Sequence, residues 1–170
     1  MVINSVLGWA LIISFITDIK SRKILNIITL PTIVFAFIFY TVTGGWEGFL
    51  FAGKGFLMGF GLLLIPYMLG GMGAGDVKLM GAIGALMGTS FVLNAFVYIA
   101  LIGGLISLFI ISRHMGIVNF LKALIFSLII NKKDLGSILI DNKKKSKLSF
   151  PYGVAIVLGT FFQLLWGGFL

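Results

Sequence analysis

Several apolar runs in this chain are long enough to cross a bilayer as helices, and no other feature constrains its fold as strongly. They are read as six spans: Val2 to Thr17, Ile27 to Thr43, Gly53 to Leu69, Val77 to Gly88, Phe91 to Ser112 and Pro151 to Gly167. With 59% hydrophobic and 11% charged residues, the chain is not a water-soluble domain, and no long polar linker divides its 170 residues into separately folding pieces. The expected fold class is an all-α polytopic membrane protein, a single membrane-embedded domain over residues 1–170. Between the fourth and fifth runs the best turn is Gly88-Thr89-Ser90, with helix continuing to Asn94 as the alternative. The parity of crossings is the same either way.

The formal net charge of +8 comes from cations in short segments beside the apolar runs, not on a folded basic face, so no nucleic-acid partner is expected. Placing the amino terminus outside puts Lys20, Arg22, Lys23, Lys78, Arg113, Lys122, Lys132, Lys133, Lys143, Lys144, Lys145 and Lys147 inside, and leaves Lys54 outside. Insertion energetics and the negative inner leaflet favour that bias. The expectation is a multi-pass protein of the cytoplasmic membrane, N-out and C-out, with the lipid bilayer as a partner. Met1 to Ser5 carry no cationic region and no small-residue cleavage signal follows, so the first run is expected to be a retained span. The segment Gly116 to Ile130 is apolar but interrupted by Asn119, Lys122 and Ser127. Were it to cross, the Lys132 to Lys147 cluster would move outside, so an interfacial or re-entrant helix is expected before the last span. Trp46 and Trp166 fit anchoring near the external face.

An acid at membrane depth is costly, and the chain has five carboxylates in all. Asp18 and Asp76 stand at the ends of apolar runs, and the topology above puts both at the cytoplasmic edge. An aspartate at a helix start is commonly a cap, a reading open for Asp76. It does not apply to Asp18, which closes the first span, where the helix dipole disfavours an anion. Ahead of Asp76, Gly70, Gly71, Gly73 and Gly75 leave the backbone uncovered. They suit a turn or tight packing, and equally a loop on which another chain docks; Gly81, Gly84 and Gly88, on nearly one helix face, fit packing. Asp18-Ile19-Lys20 and Asp76-Val77-Lys78 share a form in which each lysine reaches the headgroups while its aspartate turns inward. The absence of cysteine excludes disulfides, thiolate metal sites and a cysteine nucleophile, and His114 alone makes no zinc site.

Two carboxylates meeting across a helix bundle suit amide hydrolysis, one ionised to activate water and the other protonated to donate to the carbonyl oxygen. Closeness enforces that split, because neighbouring acids cannot both ionise cheaply, and no metal or organic cofactor is then needed. Paired acids also permit a different class, a small ion- or proton-coupled transporter using them as a relay. That reading predicts carboxylates near the midplane and an inverted repeat, whereas both acids here lie at one edge and the spans show no clear repeat.

The run Gly73-Ala74-Gly75-Asp76-Val77-Lys78-Leu79 resembles the signature of the GxGD intramembrane aspartyl proteases, and its continuation Met80-Gly81-Ala82-Ile83-Gly84-Ala85 resembles the type IV prepilin peptidase family. Asp18-Ile19-Lys20-Ser21-Arg22-Lys23-Ile24-Leu25-Asn26, followed by Thr29-Leu30-Pro31, is similar to that family's first aspartate motif. Pro151-Tyr152-Gly153 is similar to the Pro-aromatic-Gly segment that opens its last span. Two positions depart: Leu25 stands where proline usually precedes the asparagine, and Val154 where a second proline often follows. The resemblance implies an aspartic endopeptidase, a hydrolase that removes the short basic leader from type IV prepilins, pseudopilins or related membrane substrates at the cytoplasmic face. Asp18 and Asp76 would be its catalytic dyad, with Gly73, Gly75, Lys20, Lys78 and Tyr152 as candidate substrate-binding residues and no metal ligand among them. Many larger relatives carry an amino-terminal domain with paired cysteines, associated with methylating the new terminus. This chain starts at the first span without cysteine, so peptidase activity without that domain is expected.

Overall fold

The computed structural model describes residues 2–21, 24–115 and 152–167. Regular structure among them is helical: α1 (Val2–Ser21), α2 (Asn26–Met68), α3 (Ala74–Met87), α4 (Thr89–Met115) and α5 (Tyr152–Trp166). The chain forms two compact units, one of residues 1–103 with 150–170, the other of residues 104–149. Of the second unit only 104–115, the end of α4, is described. Arg113 and His114 fall in that last turn, while the interfacial helix expected over Gly116 to Ile130 and the lysine tract after it lie outside the described residues.

Among the described residues, three helical segments are long and apolar enough to cross a membrane: Val2–Ser21, Asn26–Met68 and Thr89–Phe109. The count differs from the six expected spans for identifiable reasons. The segment between the second and third runs, expected as an outer loop around Trp46 and Glu47, is helical, so both runs join into the 43 residues of α2. Only Gly45 leaves helical geometry there, at φ 57° and ψ −135°. The fourth run becomes α3, whose 14 residues reach about 21 Å, short of the roughly 30 Å hydrocarbon core. α5 is likewise short, with 15 residues.

α2 is not a straight rod. The Phe37 and Phe56 rings lie 6.3 Å apart, whereas on an unbroken helix at about 1.5 Å per residue they would be about 28 Å apart. Phe37 also meets Phe49 at 5.3 Å and Tyr40 meets Phe51 at 4.8 Å. The chain therefore reverses at Gly45, whose positive φ a side chain would resist, and its limbs 26–44 and 46–68 run antiparallel. At the base of the reversal a Cβ on Gly48 would fall on the Tyr40 carbonyl, so glycine sets the approach.

α3 is the most enclosed element. Val77, Leu79, Met80, Ile83, Ala85 and Leu86 join one core with Leu7 and Leu11 of α1, Leu63 of α2, Val92 of α4 and Ile156 of α5. A helix apolar on every side belongs inside, and α3 is one from Leu79 onward. Main chain meets main chain along it: a Cβ on Gly55 would fall on the Gly84 carbonyl, one on Gly84 on the Gly55 carbonyl, and one on Gly59 on the Met80 carbonyl. The packing reading of Gly81 and Gly84 therefore holds, as does the break at Gly88, where φ is 83° and α4 begins one residue later. The Tyr40 hydroxyl donates to the Leu86 carbonyl at 2.7 Å and ties the first limb of α2 to the end of α3.

Gly84→Ala or Gly55→Ala should therefore lower stability in detergent by about 1–3 kcal/mol through overpacking. Gly61, exposed on α2 with nothing within 4 Å of an added Cβ, is the control. Gly61→Ala should be neutral or stabilising by about 0.5–1 kcal/mol, since alanine is the better helix former. Thermal melts of the purified variants distinguish the two outcomes.

Candidate active site

The inward face of α1 is a stripe of Leu7, Leu11, Ser14 and Asp18, spaced alternately by four and three residues. Side chains at that spacing share one helix face. Asp18 thus continues an apolar seam and is 4% exposed, while Ile16, Ile19 and Lys20 lie on exposed positions. Its Oδ2 accepts the main-chain N–H of Val154 at 3.1 Å. That N–H is free to donate because Val154 lies in the first turn of α5, where helical N–H groups have no carbonyl four residues back. Gly153 lies against the same carboxyl: a Cβ there would be 2.6 Å from Asp18 Oδ2 and 2.7 Å from Cγ.

Asp76 occupies the first turn of α3 and is 8% exposed. The N-cap is Gly73, with φ −84° and ψ 152°, which has no side chain to cap the helix. Its N–H instead donates to Asp76 Oδ2 at 3.1 Å, and the Asp76 N–H donates to the Gly73 carbonyl at 3.1 Å. This is the acidic half of a capping box. The cap reading of Asp76 is therefore real, and it coexists with burial that a surface cap does not need.

Asp76 stands immediately ahead of the apolar run that starts at Val77. Burial pushes its carboxyl up to about 6; the Gly73 N–H opposes the shift, and the charge of Asp18 adds to it. The two acids are thus electrostatic neighbours, one from each of two helices. Each has Oδ2 held by a backbone N–H.

The other expected site residues fall in different settings. Gly75 lies inside α3 against Ile24, whose Cβ would be 3.0 Å from an added Cβ. Beside it, Lys78 Nζ donates to Asn26 Oδ1 at 3.0 Å, so the start of α2 is clipped to the start of α3. Gly73 is exposed and ends the α2–α3 turn, in which Gly70 has φ 76° and donates to the Tyr67 carbonyl at 2.9 Å. Tyr152 is half-buried at the start of α5, next to Gly153, and Lys20 is exposed in the last turn of α1. Among the described residues no group of three or more His, Cys, Asp or Glu gathers that could hold a metal ion.

The family model of the type IV leader peptidases matches residues 5–108, a stretch that contains both acids and their flanking motifs. The chain belongs to the type IV leader peptidase family. No curated protein and no solved structure matches it. Membership makes the chain a leader-peptidase-like protease, and its apolar helices are those of a membrane protein. α5 lies beyond the matched residues, yet it supplies the bond to Asp18. Sequence reading saw Val154 only as a departure from proline. A main-chain N–H has no signature of its own in sequence, but proline is the one residue that lacks it, and that was the available signal.

Because its folded value of about 6 lies above the ordinary 3.8, Asp76 is held protonated more tightly in the folded protein than in the unfolded chain. Its contribution to stability is full below about pH 4 and is lost as pH rises through about 6. Asp76→Asn, whose amide oxygen still accepts the Gly73 N–H, removes that dependence. Melting curves in detergent should show the variant gaining on the wild type between pH 4 and pH 7; a constant difference across that interval would contradict the raised proton affinity.

Proposed function

We propose that the chain is an intramembrane aspartyl endopeptidase that removes the short basic leader from type IV prepilins, pseudopilins or related precursors at the cytoplasmic face. The observation that carries this reading is the pair of buried, electrostatically coupled carboxyls, Asp18 and Asp76, inside the family-matched residues. Both stand near helix ends, Asp18 three residues before the close of α1 and Asp76 in the first turn of α3. That position favours a peptidase over a relay for ions or protons, which needs its acids along a path through the bilayer.

In the proposed reaction the ionised member of the dyad takes a proton from water as the water oxygen attacks the scissile carbonyl carbon. The protonated member donates to the carbonyl oxygen. Collapse of the tetrahedral intermediate breaks the C–N bond, the leaving nitrogen takes up a proton, and the new carboxyl keeps the water oxygen. The coupled pair shares one proton, so the roles belong to the dyad rather than to either residue. The Gly70 to Gly75 stretch would hold the peptide extended through backbone contacts, with Gly70, Gly71 and Gly73 exposed and Gly75 behind them. Lys20, Lys78 and Tyr152 would border the bound segment.

The same reading takes the chain across the bilayer six times, in α1, the two limbs of α2, the apolar run of α3 that starts at Val77, α4 and α5, with both termini outside. The antiparallel limbs of α2 support that parity, and the distribution of lysine and arginine supports its sense. Asp18→Asn and Asp76→Asn should each abolish cleavage of a recombinant prepilin in detergent while the protein elutes and melts as folded; normal cleavage by either variant would sink the dyad. Because the chain has no cysteine, Glu47→Cys and Lys20→Cys report topology directly. A membrane-impermeant thiol reagent added to intact cells should label the former and spare the latter, and the reverse pattern would invert the orientation.

A further inference from the structure

The two carboxyls are held differently. Gly73 lies three residues from Asp76, so that bond forms with the first turn of α3 itself. The Val154 N–H that Asp18 Oδ2 accepts is 136 residues away, on a helix the chain makes last among those described. We infer that the Gly153–Val154 peptide is the positioning element for Asp18: the Val154 N–H fixes Oδ2, and Gly153, lacking a Cβ, leaves the space in which the carboxyl sits. This rests on the peptidase reading above and names a specific structural condition for it, the docking of α5 on α1.

Three observations carry the inference. The Val154–Asp18 bond is 3.1 Å long and its acceptor is buried. Gly153 is itself buried, and an added Cβ would be 2.6 Å from Oδ2 and 3.1 Å from the Asp18 Cβ, so no residue but glycine fits without displacing the acid. Finally, Asp18 lies in the last turn of α1, where the dipole opposes an anion, whereas the start of α5 presents a positive end to the same carboxyl. With valine at 154 in place of proline, this chain has a donor that a proline there would lack.

Val154→Pro deletes the N–H at a first-turn position where proline costs no helical hydrogen bond. Val154→Ala keeps it and serves as the conservative rescue. In detergent, with a recombinant prepilin carrying its basic leader as substrate, Val154→Pro should lower kcat on the order of 100-fold through misplacement of the acid, with KM unchanged and the melting transition retained. Gly153→Ala should do the same, and Val154→Ala should restore kcat. Independently of cleavage, the Val154 amide cross-peak in valine-labelled protein, identified by its loss in Val154→Ala, should move upfield in Asp18→Ala. A cross-peak indifferent to Asp18→Ala, or wild-type kcat in Val154→Pro, overturns the positioning role and leaves the peptidase reading in place. A wild-type protein that leaves the prepilin uncut overturns both.

Discussion

The contact on which the rest of the structure depends is main chain against main chain, where α3 meets the second limb of α2. Lipid is as apolar as leucine, so helices in a membrane gain little by exchanging one for the other and associate through close packing and polar contacts. Gly55 and Gly59 on one side, with Gly84 and Met80 on the other, bring the backbones together. That approach seats a short helix in the middle of longer ones, and the seat is what buries Asp76 at its start. The apolar side chains left exposed on α1, α2 and α5, such as Ile12, Leu57 and Phe161, suit lipid and need no protein partner.

From that seat follows an asymmetry between the two acids. Asp76 is held by its own helix start and would be in place whenever α3 forms. Asp18 sits at the wrong end of its helix for an anion, and its placement is answered from outside by the start of α5. The site therefore joins a local device to a long-range one. In a member of the leader peptidase family put together this way, docking of the last described helix brings a backbone donor to Asp18, which links correct folding to correct geometry.

Much of this was legible in the sequence. Scarcity of charge singled out Asp18 and Asp76, because burial makes each carboxylate expensive and the chain has so few. The packing role of Gly81 and Gly84 could be read from their spacing, and the break at Gly88 from turn chemistry. What could not be read was the continuity of helix through Trp46 and Glu47, since Gly44-Gly45 looks like the opening of a loop. In the structure a single positive φ suffices for the reversal, and helix resumes at once. Gly75 reads in sequence as part of an open loop; Gly73 and Ala74 before it are exposed, but the close presence of Ile24 depends on tertiary packing and no local pattern announces it.

The two departures from the family's prolines show why a residue's name and its physical effect must be separated. Leu25 caps α2 at φ −79° and ψ 134°, which is the conformation proline itself prefers, so the backbone path there is the one proline would take. Val154 is the opposite case, because what matters is the N–H that proline would remove and that Asp18 accepts. One substitution preserves a shape; the other adds a donor. Helix ends are where such differences count, since only there are backbone N–H groups free to bind a carboxylate, and only there can a buried acid stay close enough to water and peptide to act on them.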